Sequence, residues 1–347
     1  MQNNTSSFLR RRKIRIWFRF VFIFIGIIFF FVLNISLGSV LIPPQGVLNS
    51  LLGFETASSS WPIIVLNYRL PQAITAFLSG SCLALAGLMM QTLFRNPLAG
   101  PSILGVSSGA SLGVALLILF SGVGISGLAF NVALSFSALI GAGVVLIIIL
   151  LLARIIKNNI VLLIAGIMIG YLTSSIVGIL NVFSSAEDVK TFMLWGLGSF
   201  SEVGWKDMPV FSLSCVIGAV ASVFVIKPLN AFLIGEEYAR NLGVSLSVFR
   251  VIVIVIAGFL TAIITAWCGP IAFIGLAVPH LGRVFFKNAD HKILLPGVFL
   301  LGGLIALICN LIARLPGSDG ILPINTITSA FGAPVVLWFL IRRNVKM

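Results

Sequence analysis

The sequence predicts an all-α protein that crosses a membrane about ten times. Three observations carry that prediction. Apolar residues make up 59% of the 347 residues, charged residues only 9%, and the mean hydropathy is +1.17. No soluble domain of this length has that composition. The apolar residues gather in ten runs separated by short polar breaks. The cations also fall almost entirely on one side of the membrane when those runs are threaded in alternation.

Residues 1–16 are polar and then basic, with Arg10, Arg11, Arg12, Lys13 and Arg15, and read as a cytoplasmic N-terminus ahead of a membrane domain over 17–343. The first run, about Trp17 to Leu41, is Phe-rich. It is longer than the core of a signal peptide, so an uncleaved first helix is expected. Residues 42–68 hold Pro43-Pro44 and Ser58-Ser59-Ser60-Trp61-Pro62, which suit an exposed loop with an interfacial aromatic.

The stretch Arg69–Gly113 organises the rest. An Arg-Leu-Pro start is followed by an apolar run studded with Ser79, Gly80, Ser81, Ala84, Ala86 and Gly87. Small residues let membrane helices approach closely. The polar break Arg95-Asn96-Pro97 then turns the chain into a Gly- and Ser-rich second run. Further runs fall near 102–121, 128–152, 160–182, 209–226, 250–268, 271–286, 293–312 and 323–341. The run 271–286 is short for a full crossing and belongs inside a bundle. Residues 183–208 are polar with aromatic ends, which suits a loop carrying a short helix at one membrane face.

With the N-terminus in the cytoplasm and ten alternating spans, 18 of the 22 Lys and Arg residues lie inside. The outside cations are Arg69, Lys190, Lys206 and Arg314, whereas Glu55, Glu187, Asp188, Glu202, Asp207 and Asp319 lean outward. This is a strong positive-inside bias. The net charge of +13 is thus an orientation signal facing anionic lipid, and nucleic acid is not needed to explain it.

Several chemistries find no support. The chain has no Gly-Lys dipeptide and so no P-loop. His280 and His291 are its only histidines, and neither belongs to a cluster with metal-ligand spacing. Cys82, Cys215, Cys268 and Cys309 each lie in an apolar run with no CxxC pair, and read as small buried apolar residues. No ionisable residue sits at the middle of a predicted span. Ion-coupled carriers usually need one there, so an externally powered carrier is favoured. No catalytic residue, cofactor or metal is expected.

Four places carry more than composition. Arg95-Asn96-Pro97 marks an inside turn. Lys227–Arg250 is the longest cytoplasmic segment; Glu236 and Glu237 after Gly235, then Leu242-Gly243, predict a short capped helix. That helix is either a solvated connector or an element that docks into a partner's groove. Gly269–Arg283 is broken by Pro270 and Pro279 and reads as a buried kink or a moving element. Arg314–Asn325 sets an isolated cation at an outer mouth.

The strings RLPQ, ALAGLMMQTLFRNPLAGPSILGVSSGASLG, LNAFLIGEEYARNLGV, GPIAFIGLAVPHLGR, DHKILLPG and FGAPVVLWFLIRR, in this order, resemble the FecCD-type permeases. These are membrane subunits of ABC importers for iron–siderophore complexes, haem and cobalamin. The resemblance runs from about residue 60 to 343. It implies a type II ABC importer permease of ten helices in a bacterial inner membrane, with both termini cytoplasmic. The implied partners are a second permease subunit forming a homodimer, two cytoplasmic ATP-binding subunits, an extracytoplasmic binding protein and a metal-chelate substrate. It implies that Leu233, Gly235, Glu236, Glu237, Ala239, Leu242 and Gly243 contact the ATPase, and that Arg69 and Arg314 meet glutamates of the binding protein. Where the family often has a second Arg after RLP, this chain has Gln72. Its final loop, PGSDGILPINTITSAFGAP, also departs from the commoner acidic-Leu-Pro form. Gln91, Ser107, Ser108, Gly109 and Ser111 are candidates for a translocation path by position. A ferric siderophore is the leading substrate, with cobalamin or haem the alternative. A lone ion-coupled carrier is the competing class.

Overall fold

A computed structural model describes residues 2–38, 40–120, 128–314 and 322–344. Among these the chain is helical and contains no strand. Helix α1 spans Gln2–Ser36, so the basic N-terminus is continuous with the first span, whose apolar part is Lys13–Ser36. Then come α2 (Pro44–Leu52) and α3 (Ser60–Ile63), which runs through a wide π turn at Ile64–Arg69 into α4 (Leu70–Leu93). A 3-10 turn, Pro101–Leu104, leads into α5 (Val106–Ala115). Next are α6 (Leu128–Ile155), α7 (Asn159–Phe183), α8 (Ala186–Gly196) and α9 (Met208–Phe224). After α10 (Ile226–Ile234) and α11 (Glu236–Asn241) the chain closes with α12 (Leu246–Cys268), α13 (Ile274–Phe286), α14 (His291–Ala313) and α15 (Ile324–Asn344).

Six of these helical segments are long and apolar enough to cross a bilayer alone. The pair α9–α10, bent by 48°, makes a seventh, and the shorter apolar segments Val106–Leu119, Ile274–Phe286 and Ile324–Phe339 complete the ten runs. The short helix expected over 183–208 is α8, capped by the Ser185 hydroxyl, which accepts the Asp188 N–H.

Two boundaries differ from the sequence expectation. The second span begins at Ser60, not at the Arg-Leu-Pro start. Pro71 has no N–H to give, and a proline normally ends a helix. Here the preceding turn widens so that Leu70 N–H reaches back five residues to Val65 O, and the helix runs on. Much of the loop expected over 42–68 is therefore helical, and the Trp61 ring packs against Gly46. At the other boundary, the sixth run does not stop at 226. It bends at Val225 and stays helical to Ile234.

Helix α4 is the centre of the bundle. In the span Ser60–Leu93, 83% of the apolar window is buried, against 17% for α7. The closest packing uses glycine. A Cβ on Gly80 would collide with the Gly302 carbonyl of α14, and one on Gly87 with the Gly275 carbonyl of α13. Backbones approach this closely only where side chains are absent. The four cysteines are free and buried. The kinked segment before α13 is held by Asn325, whose side-chain oxygen accepts the Ala272 N–H at 3.0 Å.

Candidate functional site

The last turn of α4 and the helix pair α10–α11 meet at one end of the bundle. Burial of Leu229, Ala231 and Phe232 sets α10 against the core. Gly235 breaks the helix, and Glu236 and Glu237 open α11 where the helix dipole favours acidic side chains. Gly243, with φ +82°, closes it: Val244 N–H returns to Ala239 O at 3.0 Å. The short capped helix expected from the sequence is thus present.

The seven residues assigned to this helix divide by direction. Leu233, Glu237, Leu242 and Gly243 are exposed, as are Ile234, Tyr238, Arg240 and Asn241, so the outer surface of the pair sets four large apolar side chains beside one carboxylate and one guanidinium. Ala239 is fully buried, and Gly235 faces the Arg95 guanidinium. Glu236 turns inward: its Oε1 accepts from Asn159 Nδ2 at 3.1 Å, and the same nitrogen lies 3.2 Å from Leu93 O.

Three polar joints fasten the pair. Arg95, with φ +48° just past α4, donates to Phe232 O at 2.9 Å and lies 5.1 Å over the Phe232 ring. Glu236 and Asn159 form the second. Asn230 is the third. Its Oδ1 accepts the His291 backbone N–H at 2.8 Å, and its Nδ2 donates to Asp290 Oδ1 at 2.6 Å. His291 Nδ1 lies 2.8 Å from the same Asn230 oxygen, and His291 Nε2 lies 2.9 Å from Thr92 Oγ1. Sequence reading missed Asn230, Thr92 and Asn159; a lone Asn inside the apolar string KPLNAFL was the available signal.

At the opposite end, Arg69 is only 2% exposed. Its guanidinium donates to Ile35 O at 2.8 Å, to Ser36 O at 2.7 Å and to Val40 O, closing the C-terminus of α1. Arg314, at the end of α14, reaches Asn34 O and Leu37 O only at 3.4 and 3.5 Å. Both guanidiniums flank Gly38. Burial pushes the Arg314 guanidinium down to about 10, and the neighbouring Arg69 charge adds to the shift. Beneath them, Gln72 donates to Asn310 at 3.2 Å and Asn310 to Asn34 at 2.8 Å, a buried amide ladder joining α4, α14 and α1. Part of the outer-mouth segment Arg314–Asn325, residues 315–321, lies outside the described residues.

The comparisons with known proteins agree with this architecture. The profile of the FecCD transport family matches residues 26–342. The chain belongs to the FecCD transport family. It is 35% identical over 292 residues to the vitamin B12 import system permease protein BtuC of Salmonella typhimurium strain LT2, covering 82% of this chain and 86% of that relative. The Salmonella typhi protein of the same name is 34% identical over the same shares. A solved chain described as an inward-facing conformation of a metal-chelate type ABC transporter superposes with a TM-score of 0.80 at 28% identity. That match covers 92% of this chain and 97% of the solved one. The protein is thus a multi-pass ABC importer permease, a transport subunit of a family whose members are not themselves enzymes.

The packing divides the path candidates of this FecCD permease into buried and half-buried residues. Gln91 faces no open space: its Nε2 donates to Leu276 O at 3.0 Å, and its Oε1 accepts from Arg283 at 2.6 Å. Gly109 is buried against Val145 and Gly141 of α6. A small polar residue on a membrane helix can serve a helix contact as well as a channel, and these two serve contacts. Ser107, Ser108 and Ser111 are half-buried. Ser107 Oγ lies 3.3 Å from Thr265 Oγ1, and Ser111 donates to Ser107 O at 3.1 Å. The string Gly105-Val106-Ser107-Ser108-Gly109 has the spacing of a nucleophile elbow, and its Ser107 lies in the first turn of α5 against the Thr265 hydroxyl. A half-open cavity of about 560 Å³ lies between α6, α8, α9 and α12, against Phe136, Trp195, Glu202, Asp207 and Trp267. None of the five path candidates lines it.

Proposed function

We propose that this FecCD permease pairs with a second copy of itself and imports a bulky metal chelate across a bacterial inner membrane, driven by two cytoplasmic ATP-binding subunits. The observation that carries the reading is the exposed apolar face of Leu233, Ile234, Tyr238 and Leu242 on a capped helix at the end of a membrane bundle. A face of this kind, with Glu237 at its edge, suits a groove on a soluble partner. In this reading the α10–α11 end and both termini are cytoplasmic, and residues 1–16 precede the membrane domain of 17–343.

The assigned roles divide with the geometry. Leu233, Glu237, Leu242 and Gly243 touch the ATPase, while Gly235, Glu236 and Ala239 shape the helix that presents them. Arg314 meets an acidic side chain of the binding protein, and Arg69 holds the loop on which that contact forms. The exposed face of α7 borders the path between subunits, with Ser107, Ser108 and Ser111 of α5 behind it. ATP closes the nucleotide-binding pair, the α10–α11 unit moves, and the bundle shifts between two packings.

A ferric siderophore is the proposed cargo. A corrinoid is the second reading, favoured by the vitamin B12 import permeases among the relatives. Uptake of iron-labelled siderophores and of cobalt-labelled cyanocobalamin, in cells with and without this gene, separates the two. Loss of iron uptake alone supports the first reading, and loss of cobalamin uptake alone replaces it with the second. Full-rate transport by the purified chain in liposomes, under an ion gradient and without ATPase subunits, would defeat the importer reading itself.

A further inference from the structure

The three joints on α10–α11 share a destination. Asn230 reaches Thr92 through His291, Glu236 reaches Leu93 through Asn159, and Phe232 reaches Arg95. All arrive at the final turn of the most buried helix, and two of them arrive through the first residue of another span: His291 opens α14, and Asn159 opens α7.

The hydrogen bonds around Asn230 fix its amide orientation and the Nδ1 proton of His291. Asp290 caps α14, its Oδ1 taking the Lys292 N–H at 2.9 Å. That same oxygen accepts from Asn230 Nδ2, which fixes the orientation of the amide. Asn230 Oδ1 therefore faces His291 and accepts the backbone N–H, so Nδ1 must carry a proton to sit 2.8 Å away. Burial of Leu229 and Phe232 holds α10 to the bundle, but apolar contact is non-directional. The hydrogen bonds are what prevent α10 from sliding or turning without its neighbours.

We propose that Asn230 and Glu236 are positioning residues that pass the motion of α10–α11 into the bundle, Asn230 to α14 and Glu236 to α7, both against the last turn of α4. This rests on the ATPase-docking reading of the exposed face, yet it concerns the opposite side of the same helices. Docking uses Leu233, Glu237 and Leu242. Transmission uses two side chains that the ATPase does not touch.

The test uses the full complex of permease, ATPase subunits and binding protein, with Ser175→Cys on the exposed face of α7 carrying a spin label in each permease copy. Distances between the labels are recorded with and without ATP, alongside ATPase co-purification. Asn230→Asp sets two carboxylates against each other. It is expected to retain the ATPase and to reduce the ATP-driven population shift about fivefold or more. Asn230→Asp with Asp290→Asn removes the carboxylate repulsion and lets an amide donate across the joint again, at the expense of the Lys292 cap, and is expected to recover part of the shift. Glu236→Ala is expected to lose the shift, and Glu236→Gln, which keeps an accepting oxygen for Asn159, to retain it.

A full shift in Asn230→Asp and Glu236→Ala overturns the proposal. So does loss of ATPase co-purification in either, because the residue would then be shaping the docking face. Failure of the docking reading shows separately, as an ATPase that still co-purifies when Leu242 is replaced by Arg.

Discussion

The two ends of the bundle use similar polar residues in opposite ways. At the α11 end, polar side chains join helices together and leave an apolar face outside. At the Arg69 end, guanidiniums fold inward onto backbone carbonyls at the end of α1, beside a small separate apolar cluster of Ile35, Ile42, Val47 and Val65. One end presents a surface; the other end is a clamp. The difference shows that an unusual cation in a membrane protein is a question about its acceptor. Arg69 has three backbone carbonyls to satisfy it, whereas among the described residues Arg314 makes only long contacts and has a like charge beside it.

The contrast can be broken from either side. The largest effect is expected at the exposed face. Glu237→Lys with Leu242→Arg should weaken ATPase binding by about 2 kcal/mol or more, the scale of an interface hot spot, with membrane insertion unchanged. Pull-down of the ATPase by the permease reads this directly, and an intact complex would mean the surface is not a docking surface.

Next comes the clamp. Arg69→Ala takes the guanidinium from the Ile35, Ser36 and Val40 carbonyls, of which Ser36 keeps the Ile42 N–H, and should cost about 1–3 kcal/mol of stability in detergent unfolding. Unaltered stability together with weaker binding-protein capture would move Arg69 back to a docking role. A smaller change is expected at Arg314. Arg314→Glu should slow binding-protein association by about one order of magnitude at low salt, with the difference shrinking as salt is raised. The smallest effect is on folding. Arg314→Gln removes a buried like charge and two long contacts, and its stability should stay within about 0.5 kcal/mol of the parent chain. A large loss there would make Arg314 a second clamp.

Much of the fold was legible because lipid removes options. Each apolar run had to satisfy its own backbone, so length and composition located all ten. What escaped was decided by single turns. Pro71 looked like a helix start, and nothing in the residues announces the π turn that lets the helix pass through it. Lys227–Ile234 looked like loop because Lys227 and Pro228 are polar and helix-breaking, yet proline is tolerated in the first turn of a helix, where its missing N–H costs nothing. In the candidate site, the exposed half of α11 could be read from its caps and its acidic start. The inward half could not. Whether Glu236 or Glu237 faces the core depends on where Asn159 lies, 77 positions away in the chain. The contacts of Gln91 were hidden for the same reason, since its partners Leu276 and Arg283 belong to a helix nearly two hundred residues on.

Helix α14 begins at His291, fastened to α10, and ends at Ala313, next to Arg314. Its 23 residues span about 35 Å at the usual rise per residue. It is locked to α4 at Gly80 and Gly302, where main chain meets main chain without intervening side chains. The two helices are therefore tied backbone to backbone at that point, with Pro296 interrupting the ladder of α14 between His291 and Gly302. In the proposed reading, this one contact lies between the end that docks the ATPase and the end that meets the carrier, so the two docking events share a single piece of main chain.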